Sequence, residues 1–312
     1  MWIDGTLVSS AVLSTLLFAL VSYKFRSKLI TVNLLLGINT LFGLYIFSIL
    51  THQNLNAIPS LLYNRIFDGT DRSYNFCIIM IIYFRISILL FWTMCVLASL
   101  IFCNYVSYTK YSSTVHRKFF HFTISLVCIS GILCDPELLW LSAAIILCGF
   151  VILEILRSLR VAPWAEYLDS FCLVFIDKQD SPSLILTPIY LIIGVFLPLF
   201  LKPVENTESH SLFHYAGVLT VGVGDSFAAI IGSIYGRHFW PNSHKTYEGS
   251  LAMLLSQIIF ALCVVWYENM LSLDCMKVLR IFASSLVCTI AEAKLHSIDN
   301  VILPLIAYFI LW

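Results

Sequence analysis

The sequence predicts an all-α, polytopic transmembrane protein of about ten spans with no soluble domain. Three observations carry this. Of the 312 residues, 60% are hydrophobic and 12% are charged, with a mean hydropathy of +0.90. A soluble domain carries roughly a quarter charged residues. The apolar residues are gathered into runs, most of them near the ~20 residues a helix needs to cross hydrocarbon with its own backbone bonds satisfied. The Lys and Arg residues between the runs alternate in abundance from one loop to the next.

The runs lie near 7–23, 29–50, 78–107, 119–134, 138–156, 183–201, 213–235, 250–267, 279–293 and 299–312. The first follows Asp4 rather than a basic segment, and Lys24, Arg26, Lys28 and a second apolar run come after it. That order predicts a retained span rather than a cleaved signal peptide. The third run is long and contains Arg85, so its span is expected to start later. Between the fifth and sixth runs, the amphipathic stretch Trp164–Ile176 is suited to lie on a membrane surface. The last run is short.

With the N-terminus outside, one set of loops holds Lys24, Arg26, Lys28, Lys110, Arg117, Lys118, Arg157, Arg160, Lys178, Arg237, Lys245 and Lys294. The other holds Arg65, Arg72, Lys202, Lys277 and Arg280. The richer set belongs in the cytosol. The zero net charge predicts no nucleic-acid partner. The ten cysteines are scattered without a CxxC pair, which excludes a sequence-evident zinc site or disulfide framework.

Nearly every unusual polar segment falls on the cytosolic side. The strongest is residues 221–237, where Asp225 stands among Gly222, Gly224, Ala228, Ala229, Gly232 and Gly236. Such spacing suits close approach of a backbone or a ligand, and a small-residue packing seam is the plainer reading. An acid there needs a cation, a metal or water. The alternating loops put Asp225 toward the cytosolic mouth. The loop that follows supplies Lys245, Thr246, Glu248 and Gly249. A lysine for phosphate oxygens and two acids, Asp225 and Glu248, for a divalent cation are the parts phosphoryl transfer requires. No GxxxxGK[ST] sequence is present, so this is not a P-loop enzyme.

Three further clusters share that side. His116, Arg117, Lys118 and His121 surround Phe119 and Phe120, as either an interfacial anchor or a phosphate grip with an acid/base histidine. Glu154 and Arg157 are three apart on one helix and could pair, while Asp177 and Asp180 follow in a polar turn. Glu292, His296, Asp299 and Asn300 precede the last run, where Asp299 and Asn300 suit a helix cap or a second set of acids.

Taken together, these segments resemble the dolichol kinase family, within the wider group of CTP-dependent polyprenol and phytol kinases related to CDP-diacylglycerol synthases. The matching text is Arg117-Lys118-Phe119-Phe120-His121, Leu153-Glu154-Ile155-Leu156-Arg157 and Asp177 to Ser181. It continues through Leu184 to Leu191, Tyr215 to Asp225, Trp240-Pro241, Lys245-Thr246-Tyr247-Glu248-Gly249, Ile298-Asp299-Asn300 and Leu303-Pro304-Leu305. It covers about residues 115–312, which are expected to form the catalytic membrane domain, with residues 1–114 as accessory N-terminal helices.

The resemblance implies transfer of the CTP γ-phosphate to dolichol, with Mg²⁺, at the cytosolic face of the endoplasmic reticulum membrane. Carried over residue by residue, Arg117, Lys118, Gly222, Gly224, Lys245, Thr246, Glu248 and Gly249 would bind the nucleotide. Asp225 and Glu248 would hold the metal, and either Asp225 or His121 would take the hydroxyl proton. Glu154, Arg157, Asp177, Asp180, Glu292, Asp299 and Asn300 are supporting candidates. The competing readings are a kinase for another isoprenoid alcohol, a cytidylyltransferase, and a secondary transporter.

Overall fold

The computed structural model describes residues 2–24, 29–51, 75–109, 113–172, 174–176, 180–181, 183–204, 211–241, 243–268, 275–295 and 298–312. The regular elements among the described residues are all helices, with two isolated β-bridges, Ser181 with Leu184 and Phe239 with Thr246. The helices are α1 (Trp2–Lys24), α2 (Leu29–Thr51), α3 (Asn75–Thr109), α4 (Thr114–Cys134), α5 (Pro136–Ser158), α6 (Trp164–Cys172) and α7 (Thr187–Leu201). A 3₁₀ turn (Leu212–Tyr215) and a π-helix (Val218–Gly224) lead into α8 (Asp225–Tyr235). They are followed by α9 (Tyr247–Tyr267), α10 (Cys275–Lys294) and α11 (Asp299–Leu311).

A helix occupies each of the ten apolar runs. Five meet both the length and the apolarity needed to cross a membrane: Phe84–Thr109, Thr114–Cys134, Pro136–Ser158, Leu212–Tyr235 and Tyr247–Tyr267. Val8–Lys24, Val32–Gly43, Thr187–Leu201 and Asp299–Leu311 are apolar but shorter. The chain is therefore an all-α protein with at least these five candidate spans. In the third run the candidate span Phe84–Thr109 contains Arg85.

Local chemistry sets the boundaries. Ser113 caps α4 by accepting the His116 N–H at 3.3 Å, so the expected start of that run at 119 is five residues late and the basic-aromatic cluster lies inside the helix. The Asp135 carboxylate accepts the Leu138 N–H at 3.0 Å and caps α5 immediately after α4 ends. Asp180 caps α7, accepting from the Leu186 N–H at 2.9 Å and the Thr187 hydroxyl at 2.7 Å.

The chain packs as two compact units, Met1–Leu100 with Leu141–Phe171, and Ile101–Trp140 with Cys172–Trp312. In the first, α1 lies on α2 and Phe18, Val32, Leu156 and Val161 form a buried core. In the second, the π-helix is the hub, packed on α4, α7, α9 and α11. Glycine permits this crowding. A Cβ on Gly217 would sit 2.2 Å from the Val195 carbonyl of α7, so no other residue fits that crossing.

Candidate functional site

The site forms in the second unit where α4, the π-helix, α9 and α10 meet. Lys118, His121 and Ser125 share one face of α4. The neighbouring aromatics fix its rotation, with Phe119 stacked on Phe102 at 4.4 Å and Phe120 against Phe175 at 4.5 Å. That face meets the end of the π-helix, where Asp225 opens α8. A π turn widens the backbone and recurs at functional sites.

Asp225 is buried, with a residue exposure of 6%. Its Oδ2 pairs with the Lys118 ammonium and lies 3.3 Å from His121 Nε2. His121 Nδ1 is 3.0 Å from the Arg117 carbonyl, which only accepts. That partner assigns the Nδ1 proton. His121 Nε2 therefore faces the Asp225 carboxylate directly, at the opposite side of the ring from Arg117.

The second cation is Lys245. Its ammonium pairs with buried Glu292 and lies 3.7 Å from Asp299 Oδ2. Burial works against the Lys245 charge, but Glu292, Asp225 and Asp299 together raise its pKa above the ordinary lysine value of 10.5. Asp225 and Glu292 thus share one electrostatic field, with a lysine on each. Among the described residues, no group of three or more His, Cys, Asp or Glu side chains is arranged as a closed metal cage. Asp225 and Glu292 each present a carboxylate to a lysine, and carboxylate oxygen is the ligand type Mg²⁺ takes.

Several sequence-selected residues do something else. Glu248 turns to His238, 2.6 Å from its Nδ1 and 3.3 Å from its N–H, so the second acid of the cluster is Glu292 instead. Thr246 caps α9 by accepting the Gly249 N–H at 3.2 Å. A Cβ on Gly249 would meet the Ala228 carbonyl at 2.8 Å, so this glycine lets α9 approach α8. Gly222 and Gly224 lie within the π-helix against Ser125 and Gln257, where a Cβ would come within 2.0 and 2.4 Å. The packing seam considered from the sequence is what they build, rather than an open phosphate loop.

Glu154 and Arg157 belong to the first unit and close on each other through bonds of 2.7 and 2.8 Å, with Asp169 taking a third at 3.1 Å. Asp180 is a cap. Arg117 is half-buried on α4, and Asn300 bonds to the Asp299 carboxylate through its backbone N–H at 2.9 Å. Asp177 and His296 lie outside the described residues. Asp225 opens α8, ten residues from its end, about 15 Å along a helix axis. Sequence reading missed Gln257, Ser285 and Thr289, polar residues buried in apolar runs of α9 and α10.

A family model described as Dolichol kinase matches residues 4–214. The chain is 35% identical over 235 residues to a Dolichol kinase of Mus musculus, covering 71% of this chain and 44% of that protein. It is 37% identical over 238 residues to a Dolichol kinase of Bos taurus, with coverages of 71% and 44%. Dolichol kinase EVAN of Arabidopsis thaliana is 31% identical over 233 residues, with coverages of 73% and 40%. The match spans less than half the length of these relatives. No solved structure matches.

Proposed function

The chain belongs to the dolichol kinase family, and on that premise we propose that it transfers the γ-phosphate of CTP to the hydroxyl of dolichol, yielding dolichyl phosphate and CDP. The proposed setting is the endoplasmic reticulum membrane, with about ten spans and the site open to the cytosol. The observation that carries the reading is the pairing of two lysines with two buried carboxylates, Lys118 with Asp225 and Lys245 with Glu292.

Such pairs neutralise one another without ligand. Incoming phosphates attract both ammonium groups, and each lysine that turns to phosphate frees a carboxylate. Asp225 and Glu292 would then hold Mg²⁺, which when bound neutralises charge on the β- and γ-phosphates. Phosphoryl transfer is mostly positioning and charge neutralisation, and these residues supply both. The choice of cytosine rests on the family resemblance.

The alcohol oxygen forms a bond to the γ-phosphorus as the bond from that phosphorus to the β,γ-bridging oxygen breaks. CDP leaves with that electron pair. The hydroxyl proton passes to His121 Nε2, whose lone pair is directed by the Nδ1 contact with Arg117. Asp225 then faces an imidazolium and stabilises it.

The test is the position of the label. Purified protein with CTP and dolichol transfers γ-³²P to the lipid and no α-³²P. Transfer of the α-label identifies a cytidylyltransferase and defeats the kinase reading. Substrate uptake into proteoliposomes without nucleotide would instead identify a transporter.

A further inference from the structure

The kinase reading names an acceptor alcohol but leaves its hydroxyl without a seat. We propose that Gln257, Ser285 and Thr289 form a buried hydroxyl-binding subsite beside Asp225 that receives the alcohol end of the lipid acceptor. This rests on the kinase reading above and adds to it the residues that recognise the acceptor.

Gln257 lies in the middle of α9 with an exposure of 0%. Met253 and Ala261, one turn to either side, are also fully buried. Neither its amide nitrogen nor its amide oxygen has a hydrogen-bond partner among the described residues. The nitrogen lies 2.4 Å from where a Cβ on Gly224 would stand. It is thus pressed onto the residue immediately before Asp225.

Ser285, Thr289 and Glu292 occupy one face of α10, spaced by four and three residues. Ser285 is 0% exposed and Thr289 5%. Their hydroxyls have no partner among the described residues. The same chain shows the ordinary alternative. Ser125 and Thr220 return their hydroxyls to the carbonyl four residues back, at 2.6 and 2.7 Å. Ser285 and Thr289 do not take that local bond. Because α10 packs on α9, unpartnered donors and acceptors extend from Glu292 into the bundle.

Buried polar groups normally find partners, and polar residues inside a membrane bundle mark sites. The ligand chemistry follows from what these groups are. An amide and two hydroxyls offer donors and acceptors but no charge. A phosphate would find its cations at Lys118 and Lys245 instead. A neutral hydroxyl satisfies both kinds of group, accepting from Gln257 Nε2 and donating toward His121 and Asp225. Water offers the same chemistry, so the experiment must separate the two.

The test uses full-length protein in lipid nanodiscs and the variants Gln257→Met, Ser285→Ala and Thr289→Val. The Michaelis constant for polyprenol alcohol and that for CTP are measured separately, with the thermal unfolding midpoint. Loss of one hydrogen bond to the acceptor raises the alcohol constant about tenfold. The CTP constant is unchanged, and the midpoint holds or rises because an unpartnered polar group has been replaced by an apolar one. An unchanged alcohol constant in all three variants, with only the midpoint moved, shows a water-filled or packing role and overturns the subsite. A wild-type protein that phosphorylates no polyprenol overturns the kinase reading instead, so the two failures are told apart.

Discussion

Two buried charge clusters in this protein are built in opposite ways. In the first unit, Arg157 is 2% exposed and its guanidinium is closed by both oxygens of Glu154 and one of Asp169. A planar fork meeting a carboxylate on two bonds is a completed structure. In the second unit, the ammonium groups of Lys118 and Lys245 hold single carboxylate oxygens of Asp225 and Glu292. Around them, Gln257, Ser285 and Thr289 have no hydrogen-bond partner among the described residues, and His121 Nε2 meets the Asp225 carboxylate at 3.3 Å. Both clusters contain buried acids and bases, so burial of charge alone does not mark a site. What distinguishes them is whether the polar atoms are used up. The first is closed and suits holding a helix end. The second is balanced in charge yet incomplete in hydrogen bonds, as a pocket awaiting a polar ligand should be.

The contrast is broken most directly at Asp225. Asp225→Asn keeps the shape and removes the charge, and lipid phosphorylation is expected to fall about a thousandfold, a loss typical of removing a central electrostatic group. Accumulation of the protein in the membrane, read by immunoblot, should be unaffected. In the other cluster, Glu154→Ala removes two of the three carboxylate bonds to a buried guanidinium and should cost about 3 kcal/mol in unfolding free energy. A Glu154→Ala protein as stable as wild type would show that the cluster is not the closed device described.

Lys245→Met should lower kcat/KM for CTP about a hundredfold, because one phosphate cation is lost and Glu292 is left unpaired. Glu248→Gln sharpens the comparison from the other side. Its carboxylate faces the exposed His238, so the CTP constant should stay within about fivefold of wild type. A larger loss would return Glu248 to the centre. The smallest effect is in pH. The raised pKa of Lys245 means that its protonated form is favoured by the fold. Its contribution is complete below the ordinary lysine value of 10.5 and is lost only as pH rises through the higher folded value. A CTP-binding profile between about pH 6 and 9 should therefore show no lysine limb.

Much of this was readable from residues. Each apolar run became a helix, because hydrophobic length is a local property. Lys118, His121, Asp225, Lys245, Glu292 and Asp299 were each visible as polar groups beside or inside apolar runs. Their pairing was not. The sequence offers Glu248, three residues from Lys245, as the second acid beside Asp225, whereas the acid that reaches Lys245 comes from 47 residues away on α10. Only the packing of α9 on α10 decides between them. The π-helix was also hidden, since its glycines read equally well as a phosphate loop. Gln257, Ser285 and Thr289 went unremarked because the overall apolarity of their runs masked them. A glutamine in the middle of the apolar run 250–267 was the available signal.

The central claim is that the charge pairs around Asp225 form a phosphoryl-transfer site for a membrane alcohol. The most direct measurement is incorporation of γ-labelled phosphate from CTP into dolichol by the purified wild-type protein and its Asp225→Asn variant, side by side and at equal folded protein. The account predicts labelled dolichyl phosphate from the wild type and none above background from the variant. Equal incorporation by the two would contradict it.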